Sequence, residues 1–234
     1  MSKATPLSDK QVVIFTGALG SGKTEVAVNY AVGAQAAGRP TCIVDLDIVT
    51  PYYRVGNLRP WLQKQGLRVV APAGSLVLFE LPALPPEVTG ALGSDDLHVV
   101  LDVGGDPYGA RLLGVYAERI KSREYDMWMV VNPFRPATSG PGSIGEQARA
   151  IEAQSGLAIT GLVANPHLAE VTTEEDVETG VALVRREAEH LGHPLVFVAV
   201  SKAFLAAGGR SGLPLLPIRL MLSDPWDAGD REQE

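Results

Sequence analysis

The residues richest in potential chemistry come early in the chain. Gln11–Thr16 is a β-branched, apolar run that leads directly into Gly17-Ala18-Leu19-Gly20-Ser21-Gly22-Lys23-Thr24. That spacing matches G-x-x-x-x-G-K-[ST], and a helix-forming stretch follows, which is the strand–loop–helix context a phosphate-cradling loop requires. Glycines let backbone N–H groups turn inward around phosphates without Cβ clashes, and the helix N-terminus adds partial positive charge. Lys23 would bridge the outer phosphates of a nucleoside triphosphate, and the Thr24 hydroxyl would ligate magnesium. Gly17, Gly20, Ser21, Gly22, Lys23 and Thr24 are therefore the expected nucleotide contacts.

A magnesium–triphosphate site also needs carboxylates at neighbouring strand ends. Val44-Asp45-Leu46-Asp47 closes one apolar run, and Val99-Val100-Leu101-Asp102-Val103-Gly104-Gly105 closes another. Asp102 reads as a magnesium ligand acting through water, with Gly104 or Gly105 sensing the γ-phosphate by a backbone N–H; a turn aspartate at a strand end is the plainer alternative. One of Asp45 and Asp47 could equally be a simple cap. Asp106 could be only the N-cap of a helix starting at Pro107.

The order of these motifs, phosphate loop, then Val-Asp-Leu-Asp, then Leu-Asp-Val-Gly-Gly, resembles the SIMIBI class of P-loop NTPases, including the MinD/ParA/CobQ-CobB group. The resemblance runs through about Asn165 and is weakest over 50–94 and after Ser201. It implies an α/β fold of three layers, with a mostly parallel central sheet flanked by helices. It also implies a metal set of Thr24, Asp45, Asp47 and Asp102, and a catalytic set of Lys23, Asp47 and Asp102, with Asp47 orienting the attacking water. By the same resemblance, an asparagine at a late strand end contacts the base. Asn165 is the better match and Asn132 a second, although each could be simply an Asn-Pro turn. The MinD/ParA loop carries an extra lysine after its first glycine, where this chain has Ala18. A nucleotide-sandwich dimer is thus unsupported, while a homodimer by other means stays open.

The loop is also similar to that of CobW-type metal-insertion GTPases, but their guanine-reading Asn-Lys-x-Asp is missing: Asn132 and Asn165 are each followed by proline. ATP with Mg2+ is the expected cofactor, ahead of GTP. The expected activity is a slow ATPase switch acting on a protein client. The alternatives are a small-molecule kinase or ATP-dependent ligase of the CobB/dethiobiotin-synthetase sort, and a CobW-like GTPase. Ile48–Arg54 would be a mobile switch, in which Arg54 could clamp phosphate or a partner, or be solvated; Tyr52 and Tyr53 could dock a partner or pack inward. Arg135 carries the same two readings as Arg54.

The elements that must position these residues alternate between short apolar runs and longer helical stretches, the pattern of a parallel sheet with crossover helices. Strands are expected at Gln11–Thr16, Thr41–Asp45, His98–Asp102, Met127–Asn132, Ile159–Ala164 and Leu195–Val200, with helices at Lys23–Ala37, Tyr108–Lys121, Ser143–Ser155 and Glu174–Leu191. Ser143 with Glu146, and Thr172–Thr173 before an acidic turn, are helix-start signals; Gly38, Gly156 and Gly192 are stops. The proline-rich stretch 50–94 reads as an irregular insertion on the sheet edge, with possible strands at Leu67–Val70 and Leu76–Glu80. Residues 222–234 read as a frayed tail of a single domain spanning 1–234.

The net charge of -7 argues against a nucleic-acid surface or a polybasic membrane patch. Cys42 is the single cysteine, so no internal disulfide can form, and its apolar strand context predicts burial. The four histidines show no metal-ligand spacing. With no apolar N-terminal core and no membrane-length apolar run, a cytoplasmic protein is expected.

Overall fold

The computed structural model describes residues 6–47, 54–72, 86–140, 142–169, 171–206 and 212–222. The expected strand at Leu76–Glu80, Tyr52 and Tyr53, most of the switch segment and the tail lie outside these residues. Among the described residues eight strands form one sheet: β1 Val12–Thr16, β2 Thr41–Asp45, β3 Arg68–Val70, β4 His98–Asp102, β5 Tyr125–Val131, β6 Gly161–Ala164, β7 Leu195–Ser201 and β8 Leu215–Ile218. Their order is β3-β2-β4-β1-β5-β6-β7-β8, and every pair is parallel. Parallel strands need crossovers, and the helices α1 Lys23–Ala36, α2 Arg59–Lys64, α3 Pro86–Leu92, α4 Pro107–Gly114, α5 Ala117–Lys121, α6 Ser143–Ser155, α7 Glu174–Leu191 and α8 Lys202–Ala206 supply them.

Successive strand residues feed opposite faces. Val12 and Ile14 join one core with Leu113, Ile151 and Val184, while Val13 and Phe15 join the other with Val26, Tyr30 and Leu62. Both faces being covered explains why the central strands read as unbroken apolar runs. In the second core Phe15, Tyr30, Trp128 and Phe197 pack edge to face, with centroids 5.1 to 5.6 Å apart. Cys42 is buried in β2, and burial pushes its thiol up to about 11, so it is a packing residue.

Three local expectations are corrected. The helix expected over Tyr108–Lys121 is two, α4 and α5, broken around Val115. There α4 and α6 lie so close that a Cβ on Gly114 would stand 3.1 Å from the Gln154 carbonyl oxygen. Ser143 does not cap α6; Gly142, at φ +73°, takes that place, and Ser143 Oγ donates back to Gly140 O. By contrast Thr173 and Asp176 form a reciprocal capping box on α7, as expected. The third correction concerns the insertion, whose described parts are more regular than expected: besides the expected edge strand, observed as β3, they hold a 3-10 turn at Val55–Leu58, α2 and α3. Past Ser201 the chain forms α8 and the edge strand β8, which tolerates Pro217 because the outer side of an edge strand needs no ladder donor.

The segment after β8 returns to α1. Asn29 and Arg219 exchange hydrogen bonds of 2.9 Å, amide to carbonyl and backbone N–H to amide oxygen. Glu25, the residue after Thr24, accepts from the N–H groups of Met221 at 2.9 Å and Leu222 at 2.7 Å. Among the described residues no helix is long and apolar enough to cross a membrane.

Candidate functional site

All strands being parallel, their carboxyl ends share one rim, where ligands of open α/β sheets bind. β1 sits between β4 and β5, and the loop 17–22 leaves its carboxyl end to start α1 at Lys23. Gly22, at φ +81°, makes the turn into the helix. A Cβ there would stand 2.3 Å from Asn165 Nδ2, because that amide donates to the Ser21 carbonyl at 2.7 Å. Asn165, from the end of β6, thereby fixes the curve of the loop. Lys23 and Thr24 are both buried beneath it.

The carboxylates arrive from the neighbouring strands. Asp45 and Asp102 are register partners across β2 and β4, and Asp102 is a partner of Phe15 in β1. The ladder continues past the strand ends, with Leu46 N–H donating to Asp102 O at 2.8 Å and Val103 N–H to Phe15 O at 2.9 Å. Lys23 Nζ and Asp47 Oδ2 form a buried ion pair at 2.8 Å. Asp45 accepts from the Asp47 N–H at 3.2 Å and the Gly56 N–H at 3.3 Å. Asp102 is 0% exposed, and neither of its oxygens has a hydrogen-bond partner. The Ser21 and Thr16 hydroxyls are likewise buried without partners.

Charge follows from this packing. Burial, reinforced by Asp45 and Asp47 and opposed by Lys23, pushes Asp102 up to about 8. The Thr24 hydroxyl is near enough to lower it a little, although no well-directed hydrogen bond forms. Burial likewise raises Asp45 to about 6. For Lys23, burial favours the neutral amine, but Asp102 and Asp47 together outweigh it and keep the ammonium charged. The donor set fits a magnesium–phosphate group: an orphaned carboxylate, orphaned hydroxyls and a charged lysine converge beside a loop of backbone N–H groups. It is not a ready-made cage, since among the described residues no cluster of three His, Cys, Asp or Glu could hold a metal alone. Magnesium suits that, because it normally takes one or two protein ligands together with phosphate oxygens.

The other candidates divide. Asn132 holds its own turn together: Nδ2 donates to His167 O at 2.8 Å, and Oδ1 accepts from the Phe134 N–H at 3.2 Å. Asp106 is the cap the sequence suggested, its Oδ1 accepting from the Gly109 N–H at 3.1 Å at the start of α4. Arg54 is half-buried, reaches Asp47 O at 3.4 Å and lowers the pKa of Asp45, so it belongs to the same acidic group. Sequence reasoning missed the Asn165–Ser21 strut and the Glu25 grip on the segment after β8; both join residues more than 140 positions apart, and no local pattern announces them.

No protein-family model matches the sequence, and no curated protein is found similar to it. Solved structures are similar in fold. The cell division protein FtsY of Thermotoga maritima is 18% identical, with a TM-score of 0.55 over 86% of this chain and 65% of that one. Chloroplast FtsY of Physcomitrella patens is 20% identical, with a TM-score of 0.55 over 84% of this chain and 61% of its own. The Signal Recognition Particle 54 kDa protein of Aeropyrum pernix, in complex with GDP, is 17% identical, with a TM-score of 0.53 over 84% of this chain and 43% of its own. The chain thus spans less than two thirds of the length of these structures. The likeness is one of fold: a three-layer α/β architecture with a parallel central sheet flanked by helices.

Proposed function

We propose that this chain binds a magnesium–nucleoside triphosphate on the loop 17–24, hydrolyses it slowly and uses the two nucleotide states to switch its contact with a protein partner. The observation that carries the reading is the bare, buried Asp102 beside the Lys23–Asp47 pair, on a loop shaped to cradle phosphate. Thr24, Asp102 and Asp45 would hold the metal with its waters, and the metal when bound supplies charge neutralisation of the phosphates. Lys23 turns from Asp47 to the phosphate oxygens, which frees the Asp47 carboxylate to orient a water in line with the terminal phosphate. Gly104 stands close to that carboxylate: a Cβ on it would lie 3.4 Å from Asp47 Oδ1. A change at either residue is therefore felt by the other, which links the Asp47–Arg54 segment to the 104–108 segment.

On the base, ATP follows from the missing Asn-Lys-x-Asp. GTP is the second reading, favoured by the GDP complexes of the Aeropyrum pernix protein and of FtsY from Elizabethkingia anophelis. The continuous sheet supports a single nucleotide-binding domain, and a cytoplasmic location and a homodimeric form belong to the same reading. Calorimetric titration of nucleotide-free protein with Mg-ATP and, separately, Mg-GTP, with phosphate release followed on the same samples, tests it. Binding that requires magnesium, with slow release in the absence of any acceptor, is expected. Binding without release would point instead to a transferase awaiting an acceptor, and no binding of either nucleotide would end the proposal.

A further inference from the structure

The acidic site around Lys23 poses a charge problem. Its lysine is already paired with Asp47, and Asp45 and Asp102 stand beside it, so the protein's own side chains leave little net positive charge for a triphosphate. Arg54 adds a guanidinium, but on the Asp45–Asp47 side, where its charge is felt by Asp45.

One further cation lies across the loop from the opposite side. A Cβ built on Gly20 would stand 3.5 Å from Arg135 Nε, 3.6 Å from Cδ and 3.8 Å from Cγ, so the arginine side chain lies against the phosphate loop at Gly20. The guanidinium is exposed and, among the described residues, makes no hydrogen bond or ion pair. It is not a loosely held surface residue, because its backbone is fixed on both sides. The Arg135 N–H donates to Asn132 O at 3.2 Å, and Arg135 O accepts from the Thr138 N–H at 2.9 Å. The Thr138 hydroxyl also donates to Asn132 O, and Asn132 is itself tied to His167 O at 2.8 Å. Part of the depression of the His167 pKa, after burial, comes from the charge of Arg135. Leu19, next to Gly20 in the loop, is 76% exposed.

We infer that Arg135 is a phosphate-binding residue that closes over the loop in cis and adds its positive charge to that of Lys23, in a site whose carboxylates offset the lysine. A guanidinium offers paired N–H donors matched to phosphate oxygens, and this one stands exposed beside the cradle at Gly20. Asn132 then becomes a positioning residue, fixing the turn that presents Arg135. The inference rests on the reading of the loop as a nucleotide site.

The test compares Arg135→Gln, Arg135→Lys and Lys23→Ala with the unaltered chain, by titration with fluorescent ATP and GTP derivatives in the presence of magnesium. Loss of a charge-assisted hydrogen bond to phosphate should weaken triphosphate binding by roughly ten- to a hundredfold in Arg135→Gln. Arg135→Lys should recover part of that loss, because it keeps the charge and gives up the fork. Thermal unfolding of the nucleotide-free variants should be unchanged, since the replaced group is exposed. If Arg135→Gln binds as tightly as the unaltered chain while Lys23→Ala does not bind, the Arg135 role is refuted and the nucleotide site stands. Equal affinities of the Gln and Lys variants would also refute it, by showing that charge is not what matters. If the unaltered chain binds neither nucleotide, the site reading fails and the role of Arg135 falls with it.

Discussion

Gly22 and Asn165 compete for one small volume, and the competition can be measured. Gly22→Ala forces a side chain into φ +81°, which costs about 1–2 kcal/mol for an L-residue. The new methyl would also meet Asn165 Nδ2 at 2.3 Å, so the amide must swing away and its 2.7 Å bond to Ser21 O is lost. A buried hydrogen bond contributes about 1 kcal/mol net, which brings the single substitution to about 2–3 kcal/mol. Asn165→Ala removes the same bond without strain and should cost about 1 kcal/mol. In the double variant the bond is lost only once and the clash is absent, so the total should be about 2–3 kcal/mol rather than the sum of the two. The coupling is then about 1 kcal/mol, above the roughly 0.3–0.5 kcal/mol scatter of independent sites. Urea unfolding of the four proteins at constant pH gives the cycle. Strict additivity would show that the amide does not hold the loop's curve, and the account of Asn165 as a strut would be wrong.

Other perturbations have distinct signatures. Asp47→Asn should slow phosphate release more than it weakens binding in the calorimetric assay, whereas equal losses would remove its water-orienting role. Gly105→Ala would place a methyl 2.1 Å from the Gly17 carbonyl oxygen, a backbone atom that cannot step aside; tight nucleotide binding should be lost, and unaltered affinity would show that the two segments separate freely. Burial raises Glu25 to about 7 against its two backbone donors. A carboxyl raised on folding stabilises most below its ordinary value of 4.5, and that contribution is lost as pH rises through about 7. Glu25→Gln should therefore flatten the decline in unfolding free energy across that window, and an unchanged slope in urea titrations would exclude Glu25 as its source.

The sequence made the central machinery legible because its signals are local. The glycine spacing of the loop, the aspartates closing β2 and β4, and the apolar runs of strands buried on both faces each reflect neighbours within a few residues. The starts of α6 and α7 show where that stops. Thr173 and Asp176 meet the capping pattern and form the box, whereas Ser143 and Glu146 carry a similar pattern and do not, because Gly142 already turns the chain. The break after Gly114 is set by the approach of α6, which is tertiary information. The short elements α2, α3 and α8 fall in stretches whose prolines and glycines read as irregular. Asn132 and Asn165 look alike in sequence, each closing an apolar run before a proline. Only the fold separates them, sending one amide into its own turn and the other across to the phosphate loop.

The grip of Glu25 on the backbone after β8 gives the helix that opens at Lys23 a second job. That carboxylate sits one residue from Thr24 and holds the N–H groups of Met221 and Leu222, so the first turn of α1 is pinned at one end to the phosphate cradle and at the other to the outgoing chain. A shift of that turn at the cradle would therefore be carried directly to residues 219–222, which follow β8 on the far edge of the sheet from β3. A reporter label placed on Leu220, which is 56% exposed at that point, would therefore read the state of the cradle without touching it.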